Sequence, residues 1–184
     1  MKELSLNILD IAENSAKARA SLIEITIKEA ANLLTLIIKD DGTGMSEKTL
    51  CSVIDPFYTT RTTRKVGLGI PRLKMACEMT GGKLEIKSRE DDGSGAPHGT
   101  TVVATFYTDH LDFTPLGDVI STVITLIQGH PDIDFAYKHS LKGGEVTLDT
   151  RELRAVLEDI PLDTYDVILW IKENLADQYE AINK

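Results

Sequence analysis

Apolar residues recur along this chain with two different periods. Leu4, Ile8, Ile11 and Ser15 stand three or four positions apart, which predicts a helix over 2–19. SLIEITIKE (21–29) alternates and predicts a strand; NLLTLIIKDDG (32–42) predicts another, with a turn between them around Glu29–Asn32. Ser46 suits an N-cap, with Lys48 to Ile54 as a short helix behind it. PFYTTRTTRKVGLG (56–69) lacks periodicity and reads as a loop. IPRLKMACEMTGG (70–82) predicts a helix with Pro71 in its first turn and Gly81–Gly82 closing it. KLEIKS (83–88) and TTVVATFY (100–107) predict strands, separated by the polar, glycine-rich loop EDDGSGAPHG (90–99). Helix, two strands, helix, loop, helix, two strands is the order of an α+β two-layer sandwich, with helices on one face of a sheet.

The pattern resumes after DHLDFTPLGD (109–118). Leu116 to Ile127 is apolar enough for a buried helix, and 132–150 reads as a hairpin turning at Lys142-Gly143-Gly144. RELRAVLEDI (151–160) predicts a helix stopped by Pro161. DTYDVILWIKENLADQYEAI (163–182) predicts a longer amphipathic helix capped by Asp163. Trp170 is expected to pack within this segment or against the first; a dimer or partner groove is the alternative.

Charge separates the same two parts. The 184 residues carry 20 basic and 29 acidic side chains, net −9. Residues 1–108 hold 14 of each sign, whereas residues 109–184 hold 6 basic and 15 acidic. The sequence therefore divides into 1–108 and a small acidic α/β appendage, 109–184. Such acidity speaks against nucleic acid and anionic membranes as partners. Cys51 and Cys77 make neither a disulfide framework nor a zinc cluster. MKELSLNILDIAENS is too charged for a signal peptide, and no apolar run approaches the ~20 residues of a membrane span. A cytoplasmic protein is expected.

Four segments carry candidate chemistry. Asp10, Asn14 and Lys17 share one stripe of the first helix. A carboxylate, an amide oxygen and an ammonium suit magnesium and phosphate, although a solvated polar face gives the same pattern. Asp40, Gly42 and Gly44 follow an apolar strand. The carboxylate can accept from an exocyclic amine such as adenine's, and the glycines let a flat base lie close; a tight turn is the plainer alternative. Arg61, Arg64 and Lys65 precede Gly67-Leu68-Gly69, and glycines before a helix leave backbone N–H groups for phosphate; a basic surface loop fits equally. His98-Gly99-Thr100 opens the last of these strands and reads alone as a turn.

Together these segments resemble the GHKL ATPase superfamily, which includes gyrase, ninety-kilodalton heat-shock chaperones, histidine kinases and mismatch-repair ATPases. The resemblance covers about residues 3–107. DIAENSAKARA resembles the asparagine box and DDGTGM the first glycine box. DPFYTTR…GLGI resembles the phenylalanine-containing segment, lid and second glycine box of histidine kinases, and HGTTVVATF the last box. The resemblance implies the Bergerat-type fold, with ATP and Mg²⁺ as cofactors. It implies that Asn14 ligates the metal, that Lys17 meets phosphate, that Gly67 and Gly69 help to shape the pocket, and that Arg61 and Leu68 belong to the nucleotide site. Asp40 would hold the adenine amine, Gly42 and Gly44 would shape the pocket, and Thr100 would close its adenine end.

Three positions depart from the kinase pattern. Lys65 replaces the first glycine of Gly-x-Gly-Leu-Gly, and the lid is short. Asp10 stands where histidine kinases resemble this box with asparagine, and where gyrase and mismatch-repair ATPases use a glutamate base. A carboxylate can take a proton from water and an amide cannot, so hydrolysis stays open, with Asp10 ahead of Glu13 as the base. The asparagine box begins within the first dozen residues, so an acceptor-histidine hairpin before it, and self-phosphorylation in the usual arrangement, are not expected. The expected function is Mg-ATP binding in bacterial signalling, with hydrolysis or phosphorylation of a protein in trans. The alternative is a nucleotide-gated binding module. Expected partners are ATP or ADP, an unidentified protein and a second copy of the chain.

Overall fold

The computed structural model describes residues 3–54 and 68–182. The alternation seen in the sequence becomes the two faces of a sheet. In β1 (Leu22–Ala30) and β2 (Leu33–Asp40), Ile23, Ile25, Ile27, Leu34, Leu36 and Ile38 all point to one side and are buried. Antiparallel pairing of Ile25 with Ile38 and of Ile27 with Leu36 keeps these residues in one layer. The β1–β2 turn is tighter than expected: the ladder runs on to Ala30 and Leu33, and Ala31 turns the chain at φ 52°. β4 (Gly99–Tyr107) adds Val102, Ala104 and Phe106 to the layer, and β3 (Leu84–Arg89) forms one sheet edge.

Residues 109–182 extend this same sheet. β5 (Asp134–Leu141) lies parallel to β1, with Ile25 opposite Tyr137, and β6 (Gly144–Asp149) pairs antiparallel with β5. Among the described residues the strand order is β3-β4-β2-β1-β5-β6. The helices α1 (Leu4–Lys17), α3 (Gly69–Met79), α4 (Val119–Gly129) and α6 (Tyr165–Ile182) contribute Leu4, Ile8, Leu73, Cys77, Val123, Leu126, Ile171 and Leu175 to the core. α2 (Glu47–Ile54) packs beside α3, and α5 (Thr150–Leu157) beside β5. None of the helices among the described residues is long and apolar enough to cross a membrane.

Polar contacts bind the first and last parts of the chain. Pro115 and Leu116 carbonyls accept from the Leu4 and Ser5 N–H groups at 2.9 and 2.8 Å, which fixes the start of α1. His130 Nε2 meets Glu13 Oε1 at 2.9 Å. A part-buried chain links α6, β5 and β1: Tyr137 and Tyr179 hydroxyls are 2.6 Å apart, Tyr179 meets His139 Nδ1 at 2.7 Å, and His139 Nε2 meets the exposed Glu29 at 3.1 Å. An ionised carboxylate only accepts, so Nε2 donates to Glu29 and Nδ1 accepts from Tyr179. Burial holds the His139 imidazole below its ordinary pKa, against the pull of the Glu29 carboxylate. At the β6 edge, the Gln178 amide accepts from Thr147 N–H at 2.8 Å and donates to its carbonyl at 3.0 Å. This satisfies backbone groups that an edge strand leaves open.

Several expectations shift. α4 starts at Val119, three residues late, because the Asp118 carboxylate caps it through Ser121 N–H at 2.9 Å. α5 ends at Leu157, where Glu158 takes φ 53°, ahead of Pro161. Trp170 does not pack inside: it is 51% exposed, because the buried stripe of α6 is Val167, Ile168, Ile171 and Leu175.

Candidate nucleotide site

The site grows from the end of β2. Ile38 is the last core residue of that strand, and the pleat turns Asp40 to the same buried side, under α1. Three donors hold its carboxylate. Ser15 Oγ donates to Oδ2 at 2.6 Å, while the Gly42 and Thr100 N–H groups donate to Oδ1 at 3.0 and 3.2 Å. A carboxylate has about four acceptor positions. One therefore remains, on Oδ2, for an outside donor.

Glycines make the turn that follows. A Cβ on Gly42 would stand 2.8 Å from the Ala18 carbonyl, so the chain passes too close to α1 for a side chain. Gly44 has φ +66° and would run into the Arg89 carbonyl. The His98 ring Nδ1 contacts the Gly42 carbonyl at 2.6 Å, tying the 90–99 loop to this turn. Asp41 faces the other way and accepts from Ser21 and Leu22 N–H groups at 2.8 and 2.9 Å. Partial burial pushes its carboxyl up, but the Ser21 hydroxyl and these N–H groups outweigh it and hold the group below its usual range.

Asp40 lies on the wall of a cavity of about 230 Å³ that Asn14, Ser15, Gly44 and Thr100 also line, with apolar walls from Ile11, Met45, Ile70 and Val102. Polar groups thus converge at one end of an otherwise apolar slot, an arrangement suited to a flat heteroaromatic ring. At its margin α3 begins against α1: a Cβ on Gly69 would lie 3.0 Å from Asp10 Cβ and 3.7 Å from Asn14 Nδ2. The N-terminus of α3, whose first N–H groups have no partner within the helix, therefore stands beside the half-buried Asp10 and Asn14. Pro71 falls in that first turn, where a missing N–H costs nothing.

The structure brings Asn14, Asp40, Gly44 and Thr100 to one cavity, with Gly42 behind Asp40 and Asp10 and Gly69 at the margin. Lys17 is exposed in the last turn of α1, and Leu68, 55% exposed, occupies the N-cap of α3. Arg61 and Gly67 lie outside the described residues, as do Arg64 and Lys65. Glu13 is drawn off by His130 and does not line the cavity. Ser15 is the residue that sequence reasoning missed as a site group. Its signal was a hydroxyl where the apolar stripe of α1 calls for a hydrocarbon.

Residues 1–110 match the family model described as "Histidine kinase-, DNA gyrase B-, and HSP90-like ATPase". A sensor protein SrrB of Staphylococcus aureus is 34% identical over 99 residues, covering 51% of this chain and 17% of the relative. The sensor protein KdpD of Clostridium acetobutylicum is 31% identical over 99 residues, covering 51% and 11%. The chain thus spans less than a fifth of the length of these relatives. Among solved structures, the Aquifex aeolicus MutL ATPase domain complexed with ADP has a TM-score of 0.56 at 17% identity, covering 86% of this chain and 70% of that one. The N-terminal domain of a DNA repair protein has a TM-score of 0.57 at 20% identity, covering 81% and 53%.

Proposed function

Because the chain belongs to the family of histidine kinase-, DNA gyrase B- and HSP90-like ATPases, we propose that it binds Mg·ATP between α1 and α3 and hydrolyses it or passes the phosphoryl group to a protein in trans. The observation that carries this reading is Asp40, held by Ser15, Gly42 and Thr100 with one acceptor position left at the end of an apolar slot. An acceptor there selects adenine, whose exocyclic amine donates, over guanine, whose O6 accepts.

The other residues are assigned the following roles. Gly42 and Gly44 keep the turn close enough for a ring to lie against backbone. Thr100 closes the adenine end. Asn14 and Asp10, one turn apart on α1, offer the hard oxygen donors that Mg²⁺ prefers, and Asn14 is assigned the metal. The N–H groups of α3 behind Gly69, with Leu68 and Lys17, serve the phosphates; Gly67 and Arg61, outside the described residues, are assigned to the nucleotide by the family resemblance alone. The bound metal would supply charge to offset those phosphates. Asp10 is the proton acceptor: its carboxylate orients water and takes its proton, which an amide at this place does not do.

The test is release of labelled phosphate from γ-labelled ATP with Mg²⁺. Wild type is expected to turn over and Asp10→Asn to lose turnover while still binding ATP; Asn14→Ala is expected to lose metal-dependent binding. Failure of wild type to bind ATP would refute the reading. The nucleotide-gated module is the second reading, favoured by the hold of residues 109–184 on α1. Pro115, Leu116, Thr122 and His130 all bond to the helix that bears Asn14 or to its first residues. Binding without turnover, together with nucleotide-dependent protection of α4, would select it.

A further inference from the structure

A groove of about 640 Å³ lies on the sheet face opposite the helix layer. Its floor includes Thr26, Ile37 and Ala136, and its walls are Leu153 of α5 and Trp170 of α6. The floor cations are already neutralised: Lys39 pairs with Glu24 at 2.7 Å and Lys138 with Glu145 at 2.8 Å. Of its three lining carboxylates, Glu24 and Asp149 are paired in turn, with Lys39 and Arg151, and Glu152 is left over. Glu152 lines the groove, and Asp166 and Glu173 flank Trp170 at four positions before and three after, on its own helix face. None of Glu152, Asp166 and Glu173 makes an ion pair with another described residue. Residues 150–182 carry eight carboxylates against three cations. Two of those cations, Arg151 and Arg154, are held by Asp149 and Asp134.

We propose that this groove docks a basic, aliphatic segment of a protein partner, with an arginine lying against the Trp170 indole between the flanking carboxylates. A guanidinium stacks on an aromatic face while its N–H groups bond carboxylates beside the ring, and its methylene stem suits Leu153 and Ile37. Val156 of α5, Tyr165 and Leu169 of α6, and Ile160 between the two helices are exposed apolar residues of the same segment. The occupant is therefore longer than one side chain. The negative charge selects a basic polypeptide and excludes nucleic acid and anionic lipid. This inference does not depend on the nucleotide reading, because the groove lies on the other sheet face from the α1–α3 cavity.

Trp170 is the one tryptophan of the chain, so its emission reports this groove alone. The full chain, without nucleotide, is titrated with an amidated peptide of alternating arginine and leucine, and with its glutamate counterpart. The arginine peptide is expected to shift the emission saturably and the glutamate peptide to leave it unchanged. In the Glu152→Gln/Asp166→Asn/Glu173→Gln variant, affinity is expected to fall about tenfold, as the loss of three exposed ion pairs implies, with ATP binding and Tm unchanged. No saturable shift, an equal response to the glutamate peptide, or undiminished affinity in the variant would overturn the proposal. So would a doubling of mass in light scattering that Trp170→Ala abolishes, since the groove would then hold a second copy.

Discussion

Replacing Asp40 by Asn tests the heart of the site with the smallest change of shape. The new amide keeps its oxygen toward the Gly42 and Thr100 N–H groups, which lie 3.0 and 3.2 Å from Oδ1. Its nitrogen then replaces Oδ2, the atom that Ser15 approaches at 2.6 Å and that keeps the open acceptor position. Ser15 can reverse its hydroxyl and accept, so the fold survives. An incoming adenine amine, however, meets a donor. Losing a hydrogen bond to a charged acceptor costs about 1.5–3 kcal/mol, which is roughly a 10- to 150-fold loss of ATP affinity. Guanine presents an acceptor at the same place, so the preference for ATP over GTP is expected to narrow or invert. Competition of both nucleotides against a fluorescent ATP analogue measures the ratio, and a thermal melt checks the fold. An ATP-to-GTP preference unchanged from wild type would refute the assignment of Asp40.

Other consequences follow from packing and charge. Gly69→Ala places a methyl 3.0 Å from Asp10 Cβ and pushes α3 off α1; nucleotide affinity is expected to fall about tenfold, the lower end of an overpacking cost. Gly129→Ala, with nothing within 4 Å, is its neutral control by the same titration. Leu73→Ala, a fully buried side chain of α3, is expected to cost about 2–5 kcal/mol in urea denaturation. His139 is held below its ordinary pKa in the fold, so the unfolded chain binds the proton more readily. Its stabilisation is complete above about pH 6.5 and drains as pH falls below that value. Tm is expected to decline from about pH 7.5 to 5.5 in wild type and less steeply in His139→Gln; a flat wild-type profile would count against it.

Much of the fold was legible because its signals are local. Alternation in β1, β2 and β4, and the helical stripe of α1, each require only a few neighbouring residues. Asp40 and its glycines were legible for the same reason, since a strand end followed by a turn is written in consecutive positions. The parallel pairing of β1 with β5 leaves no such trace: each strand alternates correctly whichever neighbour it takes. Trp170 misled because a large aromatic promises burial, whereas helix geometry placed it about 100° from Ile171 and outside the buried stripe. Ser15 escaped notice because a hydroxyl on a buried face declares its purpose only when its partner, 25 positions on, is seen.

The β1–β5 pairing also sets an order of events during synthesis. His139 and Glu29, which meet across it, are 110 positions apart. At roughly 5–20 residues per second, a ribosome needs about 5–20 s to deliver the second after the first. Throughout that interval the nascent sheet has β1 as a bare flank, rich in isoleucine and open to any stray extended peptide. The C-terminal two-fifths of the chain is therefore a late-arriving guard for the N-terminal part, and a premature stop near residue 108 releases a product that is sticky rather than merely shortened.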